Sequence, residues 1–292
     1  MLDVIDPRTP SGLLRALGST GLTADKRLGQ NFLIDPRVFE QMVQWIGGDH
    51  DVIEIGPGPG GLTIGLLEHG ARVTAIEIDR RMEPLLASLQ QAFDGRLGVV
   101  WADAVQSSWG DLQDVQRLSR PVRIVGNLPY YVTSPLLAKL WEDTVEWDRA
   151  AVMVQKEVAE RIAAPPGVRT TSALSVMLRY CARVQGVQVV PKEAFLPSPE
   201  VASAVVQLQW VAPPPVSLTR LRWAVQAGFR HRRKMLRQAL SREPGSPWNS
   251  DMWSHKMLEK GIDPTKRAEA LAWDEWVQLA QLVPEVNPKR GE

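Results

Sequence analysis

The spacing of apolar and polar positions changes several times along the chain, and each change predicts an element. Leu13, Leu14 and Leu17 keep helical spacing, and so do the apolar positions of residues 36–46. Asp35 followed by Pro36 predicts the start of that second helix: the carboxylate can cap an orphan amide, and proline at the first helical position leaves none unpaired. Residues 51–55, 72–76, 97–101 and 123–126 are short apolar runs of strand length, and helical patterns lie between most of them. Such alternation predicts an α/β unit with a mainly parallel sheet. Residues 151–154 predict a fifth strand, and 187–190 with 204–208 a final pair. Ala212-Pro-Pro-Pro215 can join neither a helix interior nor a central strand, and the pattern beyond it is helical. Two domains are expected, residues 1–211 and residues 212–292.

Composition narrows the function classes. The 292 residues are 44% hydrophobic and 23% charged, and no apolar run approaches the roughly 20 residues of a membrane span. The acidic start, MLDVIDPRTP, has no apolar core behind it, so a cytoplasmic location is expected. A single cysteine, Cys181, excludes an intramolecular disulfide and a cysteine-rich metal site, and no metal is expected.

Chemistry gathers where the predicted strands end. Gly56, Gly58 and Gly61 form G-x-G-x-x-G between a strand and a helix, the context in which a glycine turn lets a backbone approach a nucleotide-like ligand. Its plain alternative is a bare tight turn. Glu77 ends the second strand about 20 residues on, where an acid can accept from both ribose hydroxyls of an adenosine. Asp103 follows the third strand and could accept from an adenine amine. These features suit NAD equally well, which leaves a dehydrogenase as the rival.

Asn127-Leu-Pro-Tyr130 follows the fourth strand and separates the two readings. An exocyclic amine that attacks an activated methyl needs its lone pair aimed and its two hydrogens accepted. Asn127 offers a side-chain carbonyl and Leu128 a backbone carbonyl, Pro129 fixes the turn, and Tyr130 offers a face for an extruded base. The chemistry is positioning and polarisation, with no general base. A turn with a capping asparagine is the structural alternative.

With these residues in place, the chain resembles the bacterial small-subunit ribosomal RNA adenine-N6,N6-dimethyltransferases. The resemblance rests on Leu28-Gly-Gln-Asn-Phe-Leu33, Glu54-Ile-Gly-Pro-Gly58 with Leu62-Thr63, Glu77, Asp103 and Asn127-Leu-Pro-Tyr130. It continues through Gln155-Lys-Glu-Val158, Phe195-Leu-Pro-Ser-Pro-Glu-Val201, Phe229-Arg-His-Arg-Arg-Lys-Met-Leu236 and Arg267-Ala-Glu269. It implies a Rossmann-like class I methyltransferase domain followed by a small all-α domain, and S-adenosylmethionine as methyl donor. Gln30, Asn31 and Leu33 would close over the methionine end of that cofactor, with Gly56, Gly58 and Asn127 lining it and Glu77 and Asp103 holding the adenosine. Phe195 would stack on the target adenine opposite Tyr130. The implied substrate is two adjacent adenosines near the 3′ end of small-subunit ribosomal RNA, in an immature 30S-type subunit, methylated by a monomer.

Two departures from the family pattern are Tyr131, where asparagine is common, and Trp101-Ala102 before Asp103. They bear on the pocket rim and the relative speed of the two transfers. The sister family that methylates large-subunit RNA shares the Asn-Leu-Pro-Tyr type of motif and is the nearest alternative. A DNA adenine methyltransferase and a non-catalytic assembly factor on the same fold remain further readings.

The formal net charge of +1 hides a local concentration. Arg230, Arg232, Arg233, Lys234 and Arg237 cluster beside Trp223 and Phe229, with no acidic residue between Arg220 and Arg237. A charge run of this kind is either a solvated helix face or an RNA-phosphate surface, and the attached methyltransferase favours the second.

Overall fold

The computed structural model describes residues 5–24 and 29–284. Leu28, the first residue of the Leu28–Leu33 motif, lies outside them. Two compact units result: one runs to Ala159 and includes Arg183–Trp210, and the other takes Glu160–Ala182 with the chain from Val211 onward. The second boundary falls next to the three prolines. Residues 160–182, expected in the first domain, instead pack with the helices: they enter the connection between two strands as an inserted excursion whose short helix Ala173–Leu178 is buried on Val176, Met177 and Leu178.

The strands are β1 (Phe32–Leu33), β2 (Asp51–Ile55), β3 (Arg72–Glu77), β4 (Leu97–Trp101), β5 (Val122–Asn127), β6 (Trp147–Gln155), β7 (Ala182–Val190), β8 (Phe195–Leu196) and β9 (Ser203–Trp210). Seven of them form one sheet in the order β4-β3-β2-β5-β6-β9-β7. The pairs β2/β3, β3/β4, β2/β5 and β5/β6 are parallel, and β9 runs antiparallel to β6. The strand order reverses beside β2, so the crevice between the carboxyl ends of β2 and β5 is the place where an open parallel sheet binds ligands.

β2 is an interior strand of the sheet with neighbours on both sides, and all of its residues are buried, the acids Asp51 and Glu54 among them. The helix Gly61–Glu68 that follows is apolar on every side and is buried from Gly61 to Leu67. Asp35 caps helix Pro36–Ile46 by accepting the Arg37 amide at 3.0 Å, and that helix turns Val38, Phe39, Met42, Val43 and Ile46 into the core. These burials fix the loop after β2 on both flanks.

β1 and β8 form a separate two-stranded antiparallel sheet that the hydrophobic pattern does not reveal. Leu33 pairs with Phe195 and Phe32 with Leu196, and the Ile34 amide donates to the Ala194 carbonyl at 2.8 Å. The helical unit closes around Leu221, Val225, Leu236, Leu240, Trp253, Met257, Trp276 and Leu279, all fully buried.

Candidate functional site

At the carboxyl ends of β2, β3 and β5 lies a cavity lined by every residue expected to hold the cofactor: Gln30, Asn31, Leu33, Gly56, Gly58, Glu77, Asp103 and Asn127. Leu128, Pro129 and Tyr130 line it as well. The strand register brings them together. Ile55 pairs with Ile76 on one side and with Gly126 on the other, so the glycine turn, Glu77 and Asn127 emerge at one level of the sheet.

The turn is shaped for a close approach. Gly56 and Gly58 hold φ of +67° and +54°, and a Cβ on Gly58 would meet the Phe32 ring at 3.3 Å. Glu77 is buried and spans the turn: its carboxylate accepts the Gly58 amide at 3.0 Å and the Asp79 amide at 2.8 Å. Burial pushes its pKa up, while those two amides and that of Ile78 pull it back. The carboxylate keeps acceptor capacity beyond these amides for a ligand hydroxyl. Asp103 uses Oδ1 to accept the Val105 amide at 2.8 Å, a local turn that orients the carboxylate at the cavity wall.

Two side chains tie the Gly29–Leu33 segment to the sheet. Gln30 donates from Nε2 to Asp79 at 2.7 Å, and Asn127 donates from Nδ2 to the Asn31 carbonyl at 3.0 Å. Asp79, held well below its ordinary pKa by the Arg81 guanidinium, is the negative anchor for Gln30. Among the described residues nothing donates to Asn127 Oδ1. Tyr130 is half-buried, and its hydroxyl meets Ser203 Oγ at 2.6 Å, which holds the ring in one orientation.

Phe195 does not join this set. Pairing of β8 with β1 draws its ring into the hydrophobic core, 2% exposed and outside the cavity lining. Tyr131, expected at the pocket rim, does line the cavity, and so do Glu54 and Ile78, to which no role was given. Glu54 is buried and accepts the Thr63 hydroxyl at 2.7 Å, and burial pushes its pKa up to about 8. The signal for it was an acid inside an otherwise apolar strand. Ile78, directly after Glu77, is 53% exposed, an apolar face beside that buried carboxylate.

S-adenosylmethionine, implied by the resemblance, suits this set. A pair of glycines opens the backbone, a buried carboxylate with spare lone pairs suits ribose hydroxyls, Ile78 offers an apolar face for adenine, and Asp103 offers an acceptor for its amine.

The described helical unit carries the basic cluster at the turn between helices Leu218–Arg230 and Leu236–Arg242. Arg230 pairs with Glu243 at 2.8 Å, and Arg232 pairs with Glu269 at 3.6 Å while donating to the carbonyls of Arg169 and Thr171. Arg237 is half-buried, with its Nε unpartnered among the described residues. Arg233 and Lys234 are exposed. The cluster is therefore divided between cations engaged in holding the unit together and cations facing water.

A family model described as ribosomal RNA adenine dimethylase matches residues 21–284. The chain belongs to that family. The ribosomal RNA small subunit methyltransferase A of Sphingopyxis alaskensis is 43% identical over 90% of this chain and 95% of the relative. The protein of the same name from Enterococcus faecalis is 34% identical over 99% of this chain and 100% of the relative. Among solved structures, a dimethyladenosine transferase from Plasmodium falciparum superposes with a TM-score of 0.71 at 24% identity, covering 85% of this chain and 95% of that one. The 23S rRNA methyltransferase ErmE gives 0.64 at 25% identity, covering 86% and 98%. Membership in the dimethylase family removes the dehydrogenase reading of the glycine turn and Glu77, and the fold is that of a class I methyltransferase with a helical second part.

Proposed function

We propose that the protein transfers methyl groups from S-adenosylmethionine to the N6 amines of two adjacent adenosines near the 3′ end of small-subunit ribosomal RNA. It does so as a cytoplasmic monomer acting on an immature 30S-type subunit late in biogenesis. The family and the small-subunit relatives support the reaction and the RNA class.

The orientation of Asn127 carries the chemistry. A backbone carbonyl can only accept, so the Asn127 atom that meets the Asn31 carbonyl is the amide nitrogen, and Oδ1 is left for an incoming amine. The adenine amine is a weak nucleophile because its lone pair is delocalised into the ring. Acceptance of one hydrogen by Asn127 Oδ1 and the other by the Leu128 carbonyl draws both out of the ring plane and localises the pair. Pro129 holds the two acceptors at a fixed separation, and the Ser203 contact holds the Tyr130 ring as a stacking face for the base. The bound cofactor supplies a methyl activated by its sulfonium charge. The protein supplies aim, which is why no acid–base group is needed at the reacting centre. Arg233 and Lys234 supply the main phosphate contacts and Arg237 a further one, with Arg230 and Arg232 holding the turn that presents them.

The test is methyl transfer from labelled S-adenosylmethionine to undermethylated small subunits, with nucleoside analysis of the product. Dimethyladenosine is expected from the wild type, and Asn127→Ala should lower the rate by roughly 100-fold or more, the scale of losing one preorganised polar contact. Tight subunit binding without transfer would replace the enzyme reading with that of an assembly factor.

A further inference from the structure

Among the described residues, Tyr131 and Trp210 are the most exposed of the Phe, Tyr and Trp side chains, and Tyr131, 58% exposed, lines the cavity beside Tyr130 and Asn127. An aromatic ring held in water at the mouth of a base-binding cavity forgoes the burial that its apolar area would otherwise gain. Tyr130 and Tyr131 are consecutive in a turn of 3-10 helix, Tyr130–Val132. Successive side chains there diverge by about 120°, so the two rings cannot serve the same base. Tyr130 points inward to Ser203. Tyr131 packs over the backbone at Gly29, where a Cβ would lie 3.4 Å from the ring Cδ1. Glycine at that place, with φ +62°, leaves the ring resting on the Gly29–Asn31 segment, the same segment whose Asn31 carbonyl orients Asn127. One side of the ring is thus supported by backbone that the catalytic asparagine also holds, while more than half of the residue faces solvent.

We propose that Tyr131 is a stacking platform for the nucleobase next to the adenosine being methylated, and so sets how the RNA strand is registered at the cavity mouth. The inference rests on the reading of Asn127–Tyr130 as the target-base pocket and extends that pocket by one nucleotide. A single-stranded RNA with one base extruded into the cavity must place its neighbour near the rim. Stacking is the interaction a ring can offer there, whatever the identity of that base. The hydroxyl is dispensable in this role and the ring is not.

The experiment compares wild type, Tyr131→Phe, Tyr131→Ala and Tyr131→Asn in transfer at subsaturating substrate. The substrates are undermethylated small subunits whose RNA is intact or carries an abasic nucleotide on either side of the target. On intact RNA, Tyr131→Ala and Tyr131→Asn should be slower by roughly tenfold, the scale of one lost base–aromatic stack. Tyr131→Phe should stay within about twofold of wild type. The loss should lie in KM for RNA, with S-adenosylmethionine affinity by calorimetry unchanged. Removing the stacked neighbour should erase the difference between wild type and Tyr131→Ala. Wild-type transfer with an unaffected Tyr131→Ala, or a defect that persists on both abasic substrates, would overturn the platform and leave the pocket intact. Absence of dimethyladenosine from the wild type on intact subunits would overturn the pocket reading and the platform together.

Discussion

Glu54 offers a measurement in which the fold reports on its own electrostatics. It lies in the fully buried central strand, and burial, with a smaller contribution from nearby Glu77, raises its pKa from an ordinary 4.5 to about 8 against the lowering effect of Thr63. The folded protein therefore keeps a proton on Glu54 between pH 4.5 and 8, whereas the unfolded chain gives it up above 4.5. Stability contributed by the proton is fully present below pH 4.5, falls through that window and is lost above pH 8. The slope is about 1.4 kcal/mol per pH unit for one proton. Between pH 5.5 and 7.5 that comes to roughly 2–3 kcal/mol, a sizeable part of the 5–15 kcal/mol typical of a domain.

Glu54→Gln keeps the size and can still accept the Thr63 hydroxyl, but it cannot ionise. Urea denaturation of the cofactor-free variant and wild type, at constant ionic strength across that range, should show wild type losing stability relative to the variant by about 2–3 kcal/mol. Asp51, Asp79 and Asp143, whose pKa values are lowered, contribute stability that is lost only as pH falls through their folded values, below the ordinary 3.8 and outside this window. Glu77, whose pKa burial also raises, is present in both proteins, so its own contribution is common to the two profiles and their divergence reports Glu54. Parallel profiles would mean that Glu54 is ionised within the fold at every pH tested, and the argument from burial would be refuted.

Glu77→Gln presents one amide NH2 where the Gly58 and Asp79 amides need acceptors, so S-adenosylmethionine affinity by calorimetry should fall roughly 10- to 100-fold; an unchanged Kd would remove Glu77 from the site. Phe195→Ala should cost about 3–5 kcal/mol of stability as a core truncation. The transfer rate per folded molecule should stay near wild type, and a transfer defect in a stable variant would return the ring to the target base. Arg233→Gln with Lys234→Gln should flatten the salt dependence of RNA binding by one to two units of slope, measured by filter binding, with cofactor affinity unchanged. Arg232→Gln, which breaks the Glu269 pair and two carbonyl contacts, should instead lower thermal stability.

The parts of the site that were legible in the sequence are those where the backbone path itself demands particular residues. Gly56 and Gly58 need positive φ, and Glu77 and Asn127 sit where parallel strands must end, so strand spacing alone carries them to one edge. Phe195 and the Gly29–Leu33 segment belong to another kind of problem. Nothing local in two-residue strands separated by more than 160 positions predicts that they pair, because such strands are too short for a hydrophobic period and their hydrogen bonds are long-range. Apart from the family resemblance, the ring of Phe195 reads more naturally as core than as a base-stacking face, and its pairing with Leu33 accounts for its burial. The basic cluster shows the same limit on the side of charge. A run of cations gives a local field, but whether each cation faces water or closes on an acid depends on the positions of Glu243 and Glu269, which tertiary packing supplies. Arg233 and Lys234 are distinguished from Arg230 and Arg232 by taking no part in those closures and from the half-buried Arg237 by their exposure, and this is why they, rather than the whole run, are the residues on which the salt dependence of RNA binding should turn.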